Sequence, residues 1–321
     1  MLSLVIPVYQ NESGLPDLLR ELGALADSFP EPLEVVFVVD GSPDGSLALL
    51  RRMLPEFGVA AQLVALSRNF GSFAAITAGL RHGTGERFAV MAADLQEPPQ
   101  LVLAFREVLA SGEADVVLGY RRQRDDPWLS RQMAAAFWAF YRRFVVPDMP
   151  RGGIDVFGCT RQVRDRLIEL KEANSSLVAL LLWVGFTRVS VPYDRAPRRH
   201  GRSAWTFGRK FRYALDSIFS FTDLPIKLLL TLGAVATCAA GVASITVLLA
   251  WWMGLVPVLG YVPLMLAICS VGGLTALGLG IVGQYLWLSL QNTRERPTFI
   301  VRTVERFEPA GHPRASARNS S

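Results

Sequence analysis

Two carboxylates that close apolar runs, Asp40 and Asp94, are the first residues placed to do chemistry. Asp94 and Gln96 are alternate residues after the run 87–93, and alternate side chains at a strand end turn to one side. Their oxygens can then converge on one point, as the hard donors around a divalent cation do. The competing reading of Asp94 is a loop cap ahead of Pro98 and Pro99. Asp40 and Asp44 flank a Gly-Ser-Pro turn, which reads either as a binding loop or as an Asx turn followed by a helix cap at Asp44. Arg68 stands in Arg68-Asn69-Phe70-Gly71, after a third apolar run. Further on, residues 195–212 hold seven Lys or Arg and no acidic residue, Arg198 and Arg202 among them. A guanidinium is a planar fork of donors that matches phosphate oxygens. Because this basic run precedes an apolar segment, it is read as meeting anionic lipid or a phosphate substrate rather than nucleic acid.

The elements that must position these residues alternate. Apolar runs at 2–8, 33–40, 62–67, 87–94 and 114–119 are separated by helix-length segments at 13–27, 45–54, 70–82 and 98–111. Strands alternating with helices predict an α/β domain with a mostly parallel sheet and right-handed crossovers. Ligands of such sheets bind at the carboxyl ends of the strands, near a topological switch point. That rule selects the loops after Val8, Val39, Ala65 and Ala92, and all four are polar. No dinucleotide fingerprint follows the first strand. The single Gly-x-Gly-x-x-Gly run, Gly278 to Gly283, lies in an apolar segment where small residues let helices pack closely.

That apolar segment is long. In a chain of 321 residues with 51% hydrophobic residues, positions 228–293 contain no Asp, Glu, Lys, Arg or His. About 20 apolar residues cross a bilayer, so this run is read as two membrane helices, near 225–252 and 262–288, joined by a turn. Arg209, Lys210, Arg212 and Lys227 precede it, and Arg294, Arg296, Arg302 and Arg306 follow it. The positive-inside rule places both flanks in the cytoplasm. No secretory signal is read at the start, because 2–8 is too short and Asn11 and Glu12 follow at once. The domain reading is a catalytic domain at 1–205, an amphipathic interfacial helix at 206–224, two transmembrane helices at 225–290 and a cytoplasmic basic tail at 291–321. The apolar content excludes disorder, and three cysteines exclude a disulfide scaffold.

The loops, in their order, resemble glycosyltransferase family 2, the inverting nucleotide-sugar enzymes of the GT-A fold. The resemblance rests on Pro7-Val8-Tyr9 with Asn11-Glu12, Asp40-Gly41-Ser42 with Asp44-Gly45, Arg68-Asn69 with Gly71, and Asp94-Leu95-Gln96 with Pro98-Pro99. Arg198, Gly201 and Ser203 before an aromatic segment, with the terminal apolar pair, narrow it to the polyprenyl-phosphate glycosyltransferases. The resemblance covers the chain from Leu2 to about Val301.

It implies transfer of one sugar from a nucleotide-sugar donor, UDP- rather than GDP-linked, to undecaprenyl or dolichyl phosphate at the cytoplasmic face of a membrane. A bacterial inner membrane is the expected location. It assigns Pro7, Tyr9, Glu12, Asp40 and Arg68 to the nucleotide, Asp94 and Gln96 to Mg2+ or Mn2+, and Arg198, Arg202 and Ser203 to phosphate groups. It places Asp155, with Asp94, among the catalytic residues near the acceptor. The family's Asp-x-Asp-x-Gln and Asp-Asp patterns are each short of one carboxylate, with Ala92 and Val39 in the vacant positions. A phosphate monoester is mostly dianionic above pH ~6 and needs no proton removed, so Asp155 orients the acceptor or supports the metal as readily as it acts as a base. The expected assembly is a homo-oligomer such as a tetramer. The alternatives are a processive polysaccharide synthase, whose Gln-x-x-Arg-Trp motif is missing, and a non-catalytic membrane scaffold.

Overall fold

The computed structural model describes residues 1–122, 154, 156–170, 177–196, 224–253, 261–294 and 296–309, with positions 132, 139, 142 and 143. The chain divides into two units, Met1–Phe207 with Pro297–Ser321, and Gly208–Arg296.

The first unit is built on β1 (Leu2–Val8), β2 (Leu33–Val39), β3 (Ala60–Leu66) and β4 (Arg87–Val90), which lie in the order β3-β2-β1-β4 and are all parallel. Every residue of β2 is buried, as expected of parallel strands covered on both faces. The first crossover helix, α1 (Leu15–Ser28), turns Leu15, Leu18, Leu19, Leu22 and Leu25 to the sheet, an apolar stripe at helical spacing. With α2 (Ser46–Met53) and α4 (Leu101–Ser111) it packs against Leu4, Ile6, Val35 and Phe37 on one face. On the other face α3 (Ser72–His82) approaches so closely that Gly79 has no room for a side chain: a Cβ there would stand 2.2 Å from Val5 Cγ1.

Three further strands extend the sheet beyond what the apolar runs announce. Of these, β6 (Val156–Thr160) lies antiparallel between β4 and β5 (Val116–Arg121), and β7 (Arg188–Tyr193) pairs parallel to β5. Two short helices, α5 (Arg161–Glu169) and α6 (Leu177–Trp183), connect β6 to β7. The segment whose composition reads as a basic tail contains β8 (Val301–Phe307), antiparallel to β3 at the far edge. Ser67 donates its N–H to the Ile300 carbonyl at 2.9 Å, and Arg51 of α2 forms an ion pair with Glu305 at 2.6 Å. At the amino ends of the strands, Glu34 is buried and accepts from Gln62 Nε2 at 2.7 Å, Thr84 N–H at 2.8 Å, Thr84 Oγ1 at 3.1 Å and the Ser3 hydroxyl.

The second unit contains two long helices, α7 (Leu224–Trp252) and α8 (Tyr261–Thr293). Among the described residues one stretch, Ser270–Leu290, is long and apolar enough to cross a membrane, with mean hydropathy 1.4. Pro225–Ala236 is a shorter apolar stretch, below crossing length. Of the Gly-x-Gly-x-x-Gly run, Gly278 alone faces α7, its Cβ position 3.4 Å from Leu229 Cδ1, so the run is helix surface and not a nucleotide loop. The expected interfacial helix at 206–224 lies outside the described residues, apart from its last position.

The Gly79 contact gives a test of how tightly α3 seats on the sheet. Gly79→Ala gains about 1 kcal/mol of helix propensity but overpacks Val5 and Val38, so a net loss of about 1–2 kcal/mol is expected. Thermal unfolding of the detergent-purified chain, followed by circular dichroism, checks it; an unchanged midpoint would mean that α3 sits farther from β1.

Candidate active site

The strand order reverses between β1 and β4, so the crevice opens at the carboxyl ends of β1, β2, β3 and β4. Four loops meet there. Pro7 is the penultimate residue of β1 and Tyr9, just beyond it, is 37% exposed. The next turn is latched to the loop after β2 by reciprocal hydrogen bonds. Gln10 donates its N–H to Ser42 Oγ at 2.8 Å, Ser42 Oγ donates to Asp44 Oδ1 at 2.6 Å, and Glu12 donates its N–H to Asp44 Oδ2 at 3.1 Å. In return Glu12 Oε2 accepts the Gly45 N–H at 2.7 Å, at the cap position of α2. Glu12, expected at the nucleotide, thus holds the start of a helix from a different loop. Burial alone would raise the Asp44 carboxyl, but Ser42 and the N–H groups of Glu12 and Ser46 together hold it below the usual carboxylate range.

Asp40 is the centre of the second and third loops. It is 3% exposed, and its two oxygens accept the Phe70 N–H at 2.7 Å and the Gly71 N–H at 2.8 Å. Those two donors precede Ser72, the first residue of α3, so the carboxylate sits at the positive end of that helix. The loops close so far that a Cβ at Gly41, whose φ is +55°, would stand 2.2 Å from the Arg68 carbonyl carbon. The Arg68 guanidinium lies over the Phe70 ring at 4.1 Å from its centroid. Burial raises the Asp40 carboxyl above its ordinary value, more than the two N–H groups and the Arg68 charge lower it.

The fourth loop departs from the expected strand end. β4 stops at Val90, four residues before Asp94, because its pairing with β1 ends at Val5. The Ala93 carbonyl is taken by Asn11 Nδ2 at 2.8 Å, Asp94 lies in a turn, and Leu95 is left-handed with φ +53°. Asp94 Oδ1 accepts the Gln96 N–H at 3.3 Å, so a turn and not a strand pleat sets the two side chains. Gln96 is buried and engages the segment after β7. Its Oε1 accepts from Arg195 Nη2, its Nε2 donates to the Ala196 carbonyl at 3.4 Å, and its own carbonyl accepts the Ala196 N–H at 2.9 Å.

These contacts bear on the divalent ion that the resemblance implies. A cation there would take oxygens from Asp94 and Gln96, but Gln96 Oε1 already faces the Arg195 cation, and Ala92 offers no oxygen. Among the described residues no three of His, Cys, Asp and Glu gather to hold a metal. The donor set among the described residues does not fit a divalent ion. Asp155, Arg198, Arg202 and Ser203 lie outside the described residues. Of Asp155's neighbours, Val156 opens β6, which runs antiparallel to β4 and so begins at the end of the sheet where β4 stops. Arg195 appears in the sequence only as one member of a basic run. Its pairing with Gln96, 99 residues away, leaves no local signal.

Residues 3–169 match the family described as glycosyl transferase family 2. Relatives align over nearly the whole chain. An uncharacterized glycosyltransferase of Synechocystis is 32% identical over 94% of this chain and 94% of its own. A prophage-derived bactoprenol glucosyl transferase of Shigella flexneri is 30% identical over 96% and 99%. Among solved structures, a Pyrobaculum calidifontis mannosyltransferase in complex with GDP-Man and Mn2+ is 17% identical, covers 89% of this chain and 87% of its own, and has a TM-score of 0.42.

Asp40 and Asp44 give opposite pH signatures. An Asp in an unfolded chain titrates at about 3.9. Asp40, raised by folding, stabilises most fully below that value, and its contribution is lost as pH rises through its folded value. Asp44, lowered by folding, contributes above that value, and its contribution is lost as pH falls through its folded value. Urea unfolding between pH 3 and 7 should therefore show the Asp40→Asn and Asp44→Asn differences from wild type changing with opposite slopes. Slopes of one sign would contradict either the dominance of burial at Asp40 or that of hydrogen bonding at Asp44.

Proposed function

The chain belongs to glycosyl transferase family 2, and we propose that it transfers a single sugar from a UDP-sugar to a polyprenyl phosphate, undecaprenyl phosphate in a bacterial membrane, with inversion at the anomeric carbon. The observation that carries this reading is the end-to-end match to the bactoprenol glucosyl transferase. At 99% of that relative's length it includes the helices of the second unit as well as the sheet. The four latched loops at the switch point support it as a donor site.

In this reading α7 and α8 form a membrane hairpin, and the sheet lies on the cytoplasmic side with the basic flanks. The lipid phosphate, dianionic above pH ~6, attacks the anomeric carbon with its own oxygen lone pair. A carbon–oxygen bond forms to the lipid phosphate as the bond to the diphosphate breaks, and the nucleoside diphosphate leaves with the bonding electrons. No proton need be removed. Pro7 and Tyr9 line the nucleotide side, while Asp40 acts through the loop it holds and sets Arg68 and Phe70 there. Glu12 is a positioning residue for the same wall. Asp94 stands at the reacting centre, Arg198, Arg202 and Ser203 hold phosphate oxygens, and Asp155 orients the acceptor. A homo-oligomer completes the reading.

The test uses detergent-purified chain, undecaprenyl or dolichyl phosphate and a panel of labelled UDP- and GDP-sugars, with label counted in organic solvent. One UDP-sugar is expected to label the undecaprenyl lipid. Asp155→Asn is expected to lower that transfer by about 10²-fold while UDP affinity holds, as misplacing one reactant does. Absence of both lipid label and nucleotide binding would replace this reading with the scaffold.

A further inference from the structure

The family pattern places carboxylates before and at Asp94, and this chain has Ala92 at the first of them. Of the remaining pair, Gln96 has its amide oxygen turned to a cation of the chain itself. Leu95 carries the backbone through a left-handed turn, and the amide oxygen of Gln96 is bonded to Arg195. Three hydrogen bonds tie Gln96 to residues 195–196, so the amide clasps the start of the basic segment and fixes where Arg195 leaves the sheet. Arg195 is exposed, and among the described residues no carboxylate forms an ion pair with it. Gln96 engages Nη2 alone of a group with five N–H donors. A guanidinium with no ion-pair partner among the described residues is therefore held at Gln96, in the loop at the switch point and two residues along the chain from Asp94, with donors left over in the fork geometry that phosphate oxygens fit.

We propose that Arg195, oriented by Gln96, supplies the positive charge at the donor diphosphate that a divalent ion supplies where the first carboxylate is present, so that this chain binds and uses its donor without a divalent cation. The inference rests on the transferase reading above. Arg195 is then a donor-binding residue and Gln96 its positioning residue. The charge that develops on the departing diphosphate is met by a fixed cation already in place.

The experiment measures binding of UDP, and in parallel GDP, to the full chain in detergent, by calorimetry in excess EDTA and again in Mn2+. Lipid labelling follows under the same two conditions. Wild type is expected to bind with dissociation constants within about threefold of each other and to label lipid in EDTA. Arg195→Gln should weaken binding in EDTA by about tenfold, the worth of a charge-assisted hydrogen bond, with Arg195→Lys between the two. Ala92→Asp restores the missing carboxylate and should make binding respond to Mn2+. A merely structural role for Arg195 would not move the ratio of affinities in EDTA and Mn2+. If Arg195→Gln does not fold, the wild-type ratio decides alone. Wild-type binding that collapses in EDTA and returns with Mn2+ overturns the inference and leaves the transferase reading standing. No binding of either nucleotide in either medium overturns both.

Discussion

The site depends on one buried carboxylate. Asp40 closes β2, and its oxygens collect the two N–H groups that lead into α3. Burying a charge costs several kcal/mol unless its lone pairs are satisfied. Here two short charge-assisted bonds and the end of a helix dipole offset part of that cost, and burial still holds the carboxyl above its ordinary value. The bonds draw the loop after β3 down until the backbone of Arg68 touches Gly41, which is why that position has no side chain and a positive φ. Arg68 and Phe70 stack because their backbone is held in that fold. Glu34 plays the matching part at the other end of β2, gathering Ser3, Gln62 and Thr84 under the sheet. A carboxylate at each end of one fully buried strand therefore fixes the strand within the sheet and the wall of the crevice above it.

What could be read from the sequence follows from how each element is stabilised. The first two strands and their helices are legible because strands buried on both faces must be continuously apolar, and α1 shows its stripe. The fourth strand misleads for the same reason. Met91, Ala92 and Ala93 prolong the apolar run, but strand pairing ends at Val90 and Asn11 takes the Ala93 carbonyl instead. β8 is hidden in the opposite way, since Arg302, Glu305 and Arg306 give an edge strand the composition of a solvated tail. Of the candidate site, the loops are legible and the partners within them are not. Glu12 to Gly45 and Gln96 to Arg195 join residues 33 and 99 positions apart, and periodicity carries no information at that range.

Chain order adds a further constraint. The sheet is completed only after the chain has passed through the second unit, because β8 follows α8 and pairs with β3. Edge strands left open invite pairing with other chains, and β8 covers this one with a short, charged strand. Its first neighbour beyond the ladder is Ser67, the residue before Arg68. The segment that returns from the apolar helices is therefore bonded to the loop that Asp40 holds. Sheet closure and the shape of the crevice share that hydrogen bond.

The two carboxylates missing from the family pattern have different physical meanings. Val39 is the last residue of β2, paired with Val8 and 2% exposed within the core. A carboxylate in that position would be buried among aliphatic side chains, so valine gains packing where an acid would incur a desolvation cost. Ala92 lies beyond the last paired residue of β4 and is only half-buried, where an acid would be tolerated and no comparable packing is gained. The loss at Val39 is thus explained by the core, whereas the loss at Ala92 changes the charge of the crevice. It removes one negative group from a loop whose neighbouring Gln96 already holds an arginine. In the proposed donor site a diphosphate would meet one carboxylate and one guanidinium in place of two carboxylates. On electrostatic grounds the alanine and the arginine act in the same direction, each making the loop less negative.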